Sequence, residues 1–240
     1  MGKVIGIFSA KGGVGKTIIL SNLGVCFGIG HRKQTILLDL NAGLGCVDLL
    51  LDLNPEKNWL DLLPVIDELQ FSHLKKCLTP YDQFLSLLSC PVQMGWEPDL
   101  KQSDLSSLVH FLKDKYDLVL VDTSPGGGRV NQWLLTLADI RLLVLSPDGP
   151  ALRASQRFLK AFPETAHPVY YVVNQYASGA AVSPEAVEKY LGGKVASVLP
   201  IDPVGVWSNV SFGRPCVLDK KSKLGGSLRK LCQKLLILNT

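Results

Sequence analysis

The sequence predicts an α/β protein whose doubly wound, mostly parallel β-sheet is covered by helices on both faces. Two observations carry this prediction. Short runs rich in valine, isoleucine and leucine alternate with stretches of helical periodicity along all 240 residues. These runs are apolar at nearly every position, as is typical of strands with both faces buried. Because no linker, repeat or low-complexity tract interrupts the alternation, we expect residues 1–240 to form one domain.

The alternation assigns the individual elements in order. Strands are predicted at 3–9, 35–40, 83–88, 117–122, 140–146, 168–174 and 195–199. Helices are predicted near 16–29, 58–69, 103–115, 130–138, 150–161, 183–191, 203–210 and 224–238. A strand that leads through a helix to the next parallel strand makes a right-handed crossover, so these units build one sheet with helices on both sides.

Composition and chain layout exclude several classes of protein. Apolar residues make up 47% of the chain and charged residues 19%, which is typical of a folded globular protein. Apolar runs such as 142–145 are far shorter than the roughly 20 residues of a membrane-spanning helix. The first residues lead directly into a strand and lack the layout of a signal peptide. We therefore expect a cytoplasmic protein.

Charge, cysteine and histidine content point away from nucleic acid and from a cysteine-based metal site. The net charge of +4 is too small to indicate nucleic-acid binding by itself. The six cysteines form no CxxC pair, and the four histidines do not lie at metal-ligand spacing from one another. In a cytoplasmic protein, we expect such cysteines to be reduced core residues.

The segment Lys11–Thr17, KGGVGKT, lies between a predicted strand and a predicted helix, which is the context of a phosphate-binding loop. Glycines let the backbone wrap around phosphates, with N–H groups directed inward at the start of the helix. In such a loop Lys16 reaches the β- and γ-phosphates of ATP, and the Thr17 hydroxyl binds Mg²⁺. Further nucleotide contacts are expected at Gly12, Gly13, Val14, Gly15 and Ile18. The alternative is a glycine-rich turn without a ligand.

With its second lysine, this segment resembles the deviant Walker A motif of the MinD/ParA family of ATPases. The resemblance implies a P-loop NTPase fold of the MinD/ParA type. In that family the additional lysine reaches across a dimer to the phosphates bound by the other subunit. Carried over, Lys11 acts in trans and Lys16 in cis, which implies a homodimer assembled around ATP. A cation that meets phosphate only in the dimer couples nucleotide state to assembly.

Two further motifs extend the resemblance. LLDLNAGLGCVDLLLDL at 37–53 is similar to the family's second motif, and YDLVLVDTSPG at 116–126 looks like Walker B with the switch loop that follows it. The resemblance implies that Asp39 and Asp122 complete the Mg²⁺ site, Asp122 through water. The glycines at 126–128 would let the switch loop move and sense the γ-phosphate. The alternative is a plain glycine-rich loop.

The resemblance also implies an adenine site. The strand VYYVVNQY at 169–176 contains Asn174, which matches the family's adenine-reading asparagine. A side-chain amide both donates and accepts hydrogen bonds, as an adenine edge requires. The segment 198–217 resembles the family's later proline-containing loop, which implies that Pro200 and Asp202 lie near the base.

Two positions depart from the commonest family pattern. Ile18 replaces a hydroxyl residue, which removes a side-chain contact to the α-phosphate but leaves the backbone N–H. Asn41 replaces the acidic residue that orients or activates the attacking water. An amide can hold a water molecule but cannot accept its proton. Because phosphoryl transfer depends mostly on positioning and charge stabilisation, we expect Lys11, Lys16 and Asn41 to support slow, Mg²⁺-dependent hydrolysis of ATP.

The expected function is a positioning switch whose ATP-bound dimer presents a changed surface to a protein partner of a localised assembly. The Asp-Leu-Asn motif and the segment 174–215 are most similar to the CpaE/TadZ branch, which is associated with Flp/Tad pilus assembly and polar placement. Two alternatives are open. One is an ATP-bound scaffold without significant hydrolysis, and the other is a MinD-like regulator of cell division or flagellar number.

The C-terminal segment is basic. Residues 220–240 contain six basic residues and no acidic one, and leucines recur on one helical face at 224, 228, 231, 235 and 238. One interpretation is a membrane-surface helix at 220–238, which would place the protein peripherally at the inner face of the membrane. The favoured interpretation is the last helix of the fold, with its leucines packed on the sheet. DNA binding is disfavoured because no aromatic residues are interleaved.

Overall fold

The structure, a computed structural model, describes residues 1–41, 45–91, 100–162 and 168–238. Within these ranges the strands are β1 Lys3–Phe8, β2 Thr35–Asp39, β3 Thr79–Pro80, β4 Leu85–Leu88, β5 Leu118–Asp122, β6 Ile140–Leu145, β7 Val169–Tyr176 and β8 Lys194–Pro200. They form an 8-stranded sheet in the order β3-β4-β2-β5-β1-β6-β7-β8. Neighbouring strands are parallel except for the antiparallel pair of β3 and β4 at one edge.

Helices connect the parallel strands. In the described ranges the α-helices are α1 Lys16–Val25, α2 Val47–Leu50, α3 Phe71–Cys77, α4 Gln102–Lys115, α5 Arg129–Leu137, α6 Gly149–Ala161, α7 Pro184–Leu191, α8 Pro203–Ser211 and α9 Lys223–Ile237. A π-helical turn, Cys26–Gly30, continues α1, and 3₁₀ segments lie at Trp59–Glu68 and Cys216–Leu218. The doubly wound, mostly parallel architecture predicted from the sequence is confirmed.

The differences from the predicted elements are local. The short elements α2, α3 and β3 were not predicted, because two to seven residues carry too little periodicity to identify. The segment predicted as a helix at 58–69 is a 3₁₀ segment with a non-helical residue at Val65. Pro64 explains this irregularity, since proline lacks the N–H group that a regular helix would use.

Two apolar layers cover the faces of the sheet. Along β1, Val4 and Phe8 pack in the layer under α4, α5 and α6, whereas Ile5 and Ile7 pack in the layer under α1 and α9. All four of these side chains are at most 1% exposed. Successive side chains of a strand point to opposite faces, so a strand covered on both sides is apolar throughout.

Helix α9 is the last helix of the fold. Leu224, Leu228, Leu231 and Leu235 are buried in the layer that covers β8 and α1. Two of its basic side chains also bond to the fold: Arg229 Nη1 donates to Val217 O at 2.6 Å, and Lys234 Nζ donates to Ala196 O at 3.1 Å. The packing interpretation is therefore confirmed for these four leucines, whereas Leu238, the last of the predicted leucine face, is 37% exposed.

Among the described residues, no helix combines the length and the apolar composition needed to cross a bilayer.

The first turn of α9 lies unusually close to the neighbouring backbone. Ser222 caps the helix by accepting a hydrogen bond from the Gly225 N–H at 2.9 Å. A Cβ atom at Gly225 would lie 2.1 Å from Cys216 O, whereas the nearest neighbour of a Cβ atom at Gly226 would be the Arg229 side chain at 3.8 Å. Only the first of these two adjacent glycines is required by packing.

We expect Gly225→Ala to destabilise the protein and Gly226→Ala to leave it unchanged or slightly more stable. The first substitution forces α9 away from the backbone at 216 and should lower the free energy of unfolding by about 1–3 kcal/mol. The second adds a better helix former in open space and should raise it by up to about 1 kcal/mol. Urea denaturation of both variants measures the difference. Equal effects would contradict the close packing of α9.

Candidate functional site

The site lies at the carboxyl ends of the three central strands. β5 pairs with both β1 and β2, and its last residue, Asp122, is in register with Asp39 at the end of β2 and with Ile7 on β1. The loop that follows β1 leads through the KGGVGKT segment into α1. Ligands of open α/β sheets bind outside the carboxyl ends of the strands, so the topology brings the sequence-predicted groups to the expected edge.

The glycine-rich loop turns through backbone conformations that favour glycine. Gly13 and Gly15 have φ angles of 77° and 88°. Gly15 is the N-cap residue of α1, and no side chain caps that end of the helix. The first N–H groups of α1 are thus left for another acceptor, which is the arrangement that binds phosphate at helix N-termini.

Lys16 and Thr17 both face the end of β5. Lys16 is only 8% exposed, and its Nζ lies 3.7 Å from Asp122 Oδ1. The Thr17 hydroxyl donates to Asp122 Oδ2 at 2.6 Å. A buried lysine and a hydroxyl therefore meet one carboxylate at the start of α1, which is the set of groups that a magnesium-phosphate ligand requires.

Burial disfavours the ionised form of both carboxyl groups of the site. Asp39 is 1% exposed, and burial followed by the proximity of Asp122 raises its pKa from 3.8 to about 7. Burial also raises the pKa of Asp122, although Lys16 and Thr17 oppose the shift. Two buried carboxyl groups with oxygen donors beside them fit a hard divalent cation, because such a cation favours their ionised forms.

Asn41 is joined to the segment after β5. Its backbone N–H donates to Asp39 Oδ1 at 2.9 Å, and its side-chain Oδ1 accepts from the Ser124 hydroxyl at 2.6 Å. Asn131 of α5 donates to Ser124 O and to Gly126 O, and Gly126 N–H donates to Ser9 O at 2.8 Å. The loop predicted as a mobile switch is thus held by hydrogen bonds in this structure.

The two lysines of the loop have different environments. The Lys11 side chain is 44% exposed, and its Nζ lies 3.8 Å from Asp148 Oδ1, at the start of α6. Lys16 is buried beside Asp122. The loop therefore directs one cation inward to the strand ends and leaves the other at the surface.

Asn174 lies beside the loop rather than apart from it. Its Nδ2 donates to Val14 O at 2.8 Å, and a Cβ atom at Gly15 would come within 2.4 Å of the same nitrogen. The next residue, Gln175, has a φ angle of 59° and donates through Nε2 to Gly13 O at 3.3 Å. The end of β7 thus fixes the outer part of the loop, and an adenine contact by Asn174 stays a prediction.

Pro200 and Asp202 follow β8, the neighbour of β7. Pro200 is in register with Tyr176. The Asp202 carboxylate caps α8 through Gly205 N–H and accepts from the Ser222 hydroxyl and the Leu224 N–H. The structure explains Asp202 as a link between the starts of α8 and α9, and its proximity to a base also stays a prediction.

Sequence reasoning missed several residues around the site. Trp59 is fully buried and donates through Nε1 to Asp39 O at 2.9 Å. Ser124 and Asn131 hold the segment after β5. No motif spacing signals these contacts, since they join separate elements. Residues 42–44 of the second motif lie outside the described residues.

Comparison with known proteins gives a consistent result. A family model described as an AAA domain matches residues 2–167, more than half of the chain. The septum site-determining protein MinD of Synechocystis sp. is 26% identical over 234 residues, which cover 94% of this chain and 86% of that protein. MinD of Bacillus subtilis is 24% identical over a match that covers 98% of this chain and 90% of that protein.

Solved structures share the fold along nearly the full chain. A ParA family ATPase from Chlorobium tepidum matches with a TM-score of 0.88 at 21% identity, over 97% of this chain and 99% of that one. The MinC:MinD cell division complex of Aquifex aeolicus matches with a TM-score of 0.82 at 25% identity, over 98% of this chain and 96% of that one. MinD of Pyrococcus horikoshii, complexed with Mg-ADP, matches with a TM-score of 0.83 at 23% identity, over 100% and 98%.

The raised pKa of Asp39 predicts a pH-dependent stability of the nucleotide-free protein. The folded state holds this proton more tightly than the unfolded chain, whose carboxyl has a pKa of 3.8. The resulting stabilisation is complete below about pH 4 and is lost as the pH rises through about 7, on the order of a few kcal/mol. Asp39→Asn should remove most of this slope.

Chemical denaturation between pH 4.5 and 8, in the presence of a chelator, measures both proteins. Asp52→Asn, which changes an exposed carboxyl group in the segment after α2, is the matched control and should keep the wild-type slope. A slope that survives in Asp39→Asn would show that other groups cause it.

Proposed function

The chain belongs to the MinD/ParA family of ATPases, within the AAA-domain family, and from this premise we propose that it is an ATP-dependent, homodimerising positioning switch with slow ATP hydrolysis. The observation that carries the proposal is the separation of the two lysines. Lys16 is buried beside Asp122, whereas Lys11 lies at the surface beside Asp148. One cation serves the nucleotide of its own subunit and the other is available to a second subunit.

In this proposal the phosphates of ATP bind the N–H groups of 12–18, with Lys16 at the β- and γ-phosphates. Thr17, Asp39 and Asp122 would hold Mg²⁺, directly or through water. Bound Mg²⁺ supplies charge neutralisation on the phosphates and on the two carboxyl groups. The residues present fit this role because Thr17 and Asp122 are already in contact, and because burial raises the pKa of both carboxyl groups.

The adenine base of ATP would lie beside the phosphate loop, near Asn174 and the segment that contains Pro200 and Asp202. Asn174 donates to Val14 O, so its amide oxygen is directed by a fixed side chain. Gln175 fixes the same loop one residue further on. The phosphate loop is therefore held in place by the end of β7 before nucleotide binds. We expect its backbone at Gly13 and Gly15 to change little when the phosphates bind.

Lys11 is proposed to stabilise the phosphates bound by the partner subunit. Its ion pair with Asp148 is long and exposed, and exposed ion pairs contribute little stability. Exchanging this partner for a phosphate of the other subunit would therefore cost little and gain a charge-assisted contact. Because the contact exists only in the dimer, nucleotide binding and dimerisation become coupled.

Hydrolysis is proposed to be slow because Asn41 takes the place of a carboxylate. Its backbone N–H donates to Asp39 and its side-chain oxygen accepts from the Ser124 hydroxyl, so the side chain is positioned to orient a water molecule. It cannot accept the proton of that water molecule, which then has to leave with the phosphate. Slow hydrolysis gives the ATP-bound dimer a long lifetime, which is what a positioning switch needs to recruit its partner.

The cargo is proposed to be a polar assembly of the Flp/Tad pilus type, from the resemblance of the Asp-Leu-Asn motif and of 174–215 to the CpaE/TadZ branch. A second candidate is a MinD-like role at the septum site. It is favoured by the full-length similarity to MinD proteins, one of which is solved in complex with MinC. Fluorescent protein in the native cell separates them, because a pole and a division septum are distinct sites.

We expect Lys11→Ala to abolish ATP-dependent dimerisation while nucleotide binding by the monomer is retained. Lys16→Ala should lose nucleotide binding itself, because it removes the cation beside Asp122. Sedimentation with a non-hydrolysable ATP analogue and Mg²⁺ measures the dimer, and a fluorescent nucleotide measures binding.

Two controls test whether the effect belongs to Lys11. Lys189→Ala removes an exposed lysine of α7 and should dimerise normally. Asp148→Asn breaks the ion pair within the chain but keeps an acceptor at the cap of α6, and it should also dimerise. A dimer formed by Lys11→Ala at wild-type affinity would rule out the trans contact.

We expect Asn41→Asp to accelerate single-turnover hydrolysis of bound ATP by at least about tenfold, because a carboxylate adds a proton acceptor at the attacking water. The wild type should turn over more slowly than about 1 s⁻¹, the low end of ordinary enzyme rates. Asn41→Ala should be slower than the wild type. Rapid-quench analysis of Mg-ATP measures all three.

If ATP stays intact for hours in both the wild type and Asn41→Asp, the chain acts instead as an ATP-bound scaffold. Turnover of the wild type well above 1 s⁻¹ would refute the slow switch.

A further inference from the structure

Two cysteines and a histidine meet where the end of α1 packs against α9. The Sγ atoms of Cys26 and Cys232 and a ring nitrogen of His31 all lie within 4.8 Å of one another. Both cysteines are buried, whereas His31 is exposed. The cluster therefore combines two buried sulfur donors with one exposed nitrogen donor.

The π-helical turn explains how His31 reaches Cys26. In an α-helix each residue turns by about 100°, so side chains five apart point in directions about 140° apart. The wider i→i+5 turn of a π-helix brings such side chains towards the same side. The turn Cys26–Gly30 directly precedes His31. This rare geometry aligns the two donors, and α9 contributes the third from a distant part of the chain.

The two sulfur donors are free thiols. Thiolate is the form of cysteine that ligates metals. Each thiol would therefore release its proton when a metal binds.

Distances and charge select the metal. Zinc bonds to sulfur at about 2.3 Å and to nitrogen at about 2.0–2.1 Å, so tetrahedral donors lie roughly 3.5–3.8 Å apart. Donors within 4.8 Å of one another therefore need to approach by at most about 1.3 Å. A divalent ion with two thiolates and a neutral imidazole carries no net charge, which removes much of the cost of burial.

We propose that Cys26, His31 and Cys232 form a Zn²⁺ site, separate from the phosphate-binding site, with a water molecule as the fourth ligand on the exposed side of His31. The ion joins the C-terminal end of the helix that starts at the phosphate loop to the last helix of the fold. This site is independent of the proposed nucleotide chemistry, because its donors lie at the opposite end of α1 from Lys16 and Thr17.

The test is titration of Zn²⁺ alone into the reduced, metal-free, full-length protein, against a chromophoric chelator and with excess Mg²⁺. We expect about one tight site per chain and a higher unfolding temperature with zinc. His31→Ala should weaken zinc binding at least tenfold. Loss of a group that only orients a metal ligand already costs about tenfold or more, and loss of the ligand itself should cost at least as much. The metal-free stability of His31→Ala should be unchanged because His31 is exposed. Co²⁺ in place of Zn²⁺ should give thiolate charge-transfer absorption that Cys232→Ala removes.

Controls address the other cysteines. Cys46 and Cys90 lie near Asp39 and could bind zinc at the magnesium site. The double variant Cys46→Ala/Cys90→Ala, and Cys77→Ala in the 71–77 helix, should retain the tight site.

Three results would overturn the proposal. The first is wild-type zinc affinity in His31→Ala, and the second is loss of the tight site in Cys46→Ala/Cys90→Ala. The third is a Cys26–Cys232 disulfide in the isolated protein, found by mass spectrometry, together with no zinc uptake after reduction. That last result would mean that the pair responds to oxidation rather than to metal.

Discussion

Two carboxyl groups placed side by side in the interior are the constraint on which the site depends. The register of the parallel strands sets Asp39 beside Asp122, and neither can move away without breaking the centre of the sheet. Burial disfavours ionisation of both carboxyl groups, and the charge of Asp122 adds to this effect at Asp39. The surrounding contacts partly offset this cost. Lys16 and Thr17 contact the Asp122 carboxylate. Asn41 donates to the Asp39 carboxylate, and Trp59 donates to the Asp39 carbonyl. A site held in this way favours a ligand that brings positive charge, which is the role of Mg²⁺ in phosphate binding.

Helix α1 connects that site to the opposite side of the molecule. It begins at the phosphate loop, and in its middle the Asn22 amide accepts a hydrogen bond from Val217 N–H at 3.0 Å and another from the Cys216 thiol. Its end meets α9 through Cys26. The helix is therefore fixed at its start, middle and end. A displacement of the loop by nucleotide cannot be absorbed by sliding of α1 alone, because packed elements move as units.

The sequence predicted what is encoded locally, and it failed where distant elements meet. The strands were found because each is apolar throughout, and the phosphate loop was found because Lys11–Thr17 is a contiguous motif. The link from Trp59 to the Asp39 carbonyl and the meeting of Cys26 with Cys232 depend on tertiary packing, which spacing along the chain does not reveal. The expectation of reduced core cysteines is confirmed, since all six are free and five are buried, but spacing gave no sign that two of them meet. The π-turn that precedes His31 has no recognisable sequence signal.

Asn41 connects the electrostatics of the site with its kinetics. A carboxylate at this position would add a third negative charge beside Asp39 and Asp122, where two are already disfavoured by burial. The neutral amide avoids that repulsion, and its Oδ1 can accept the Ser124 hydroxyl and tie the segment after β5 to the end of β2. Asn41 thus favours the stability of the nucleotide-free protein at the position where a proton acceptor would speed hydrolysis. This is the usual opposition between stability and activity at functional sites. In the proposed switch this opposition would be useful, because the amide that avoids repulsion in the nucleotide-free protein would also prolong the ATP-bound state.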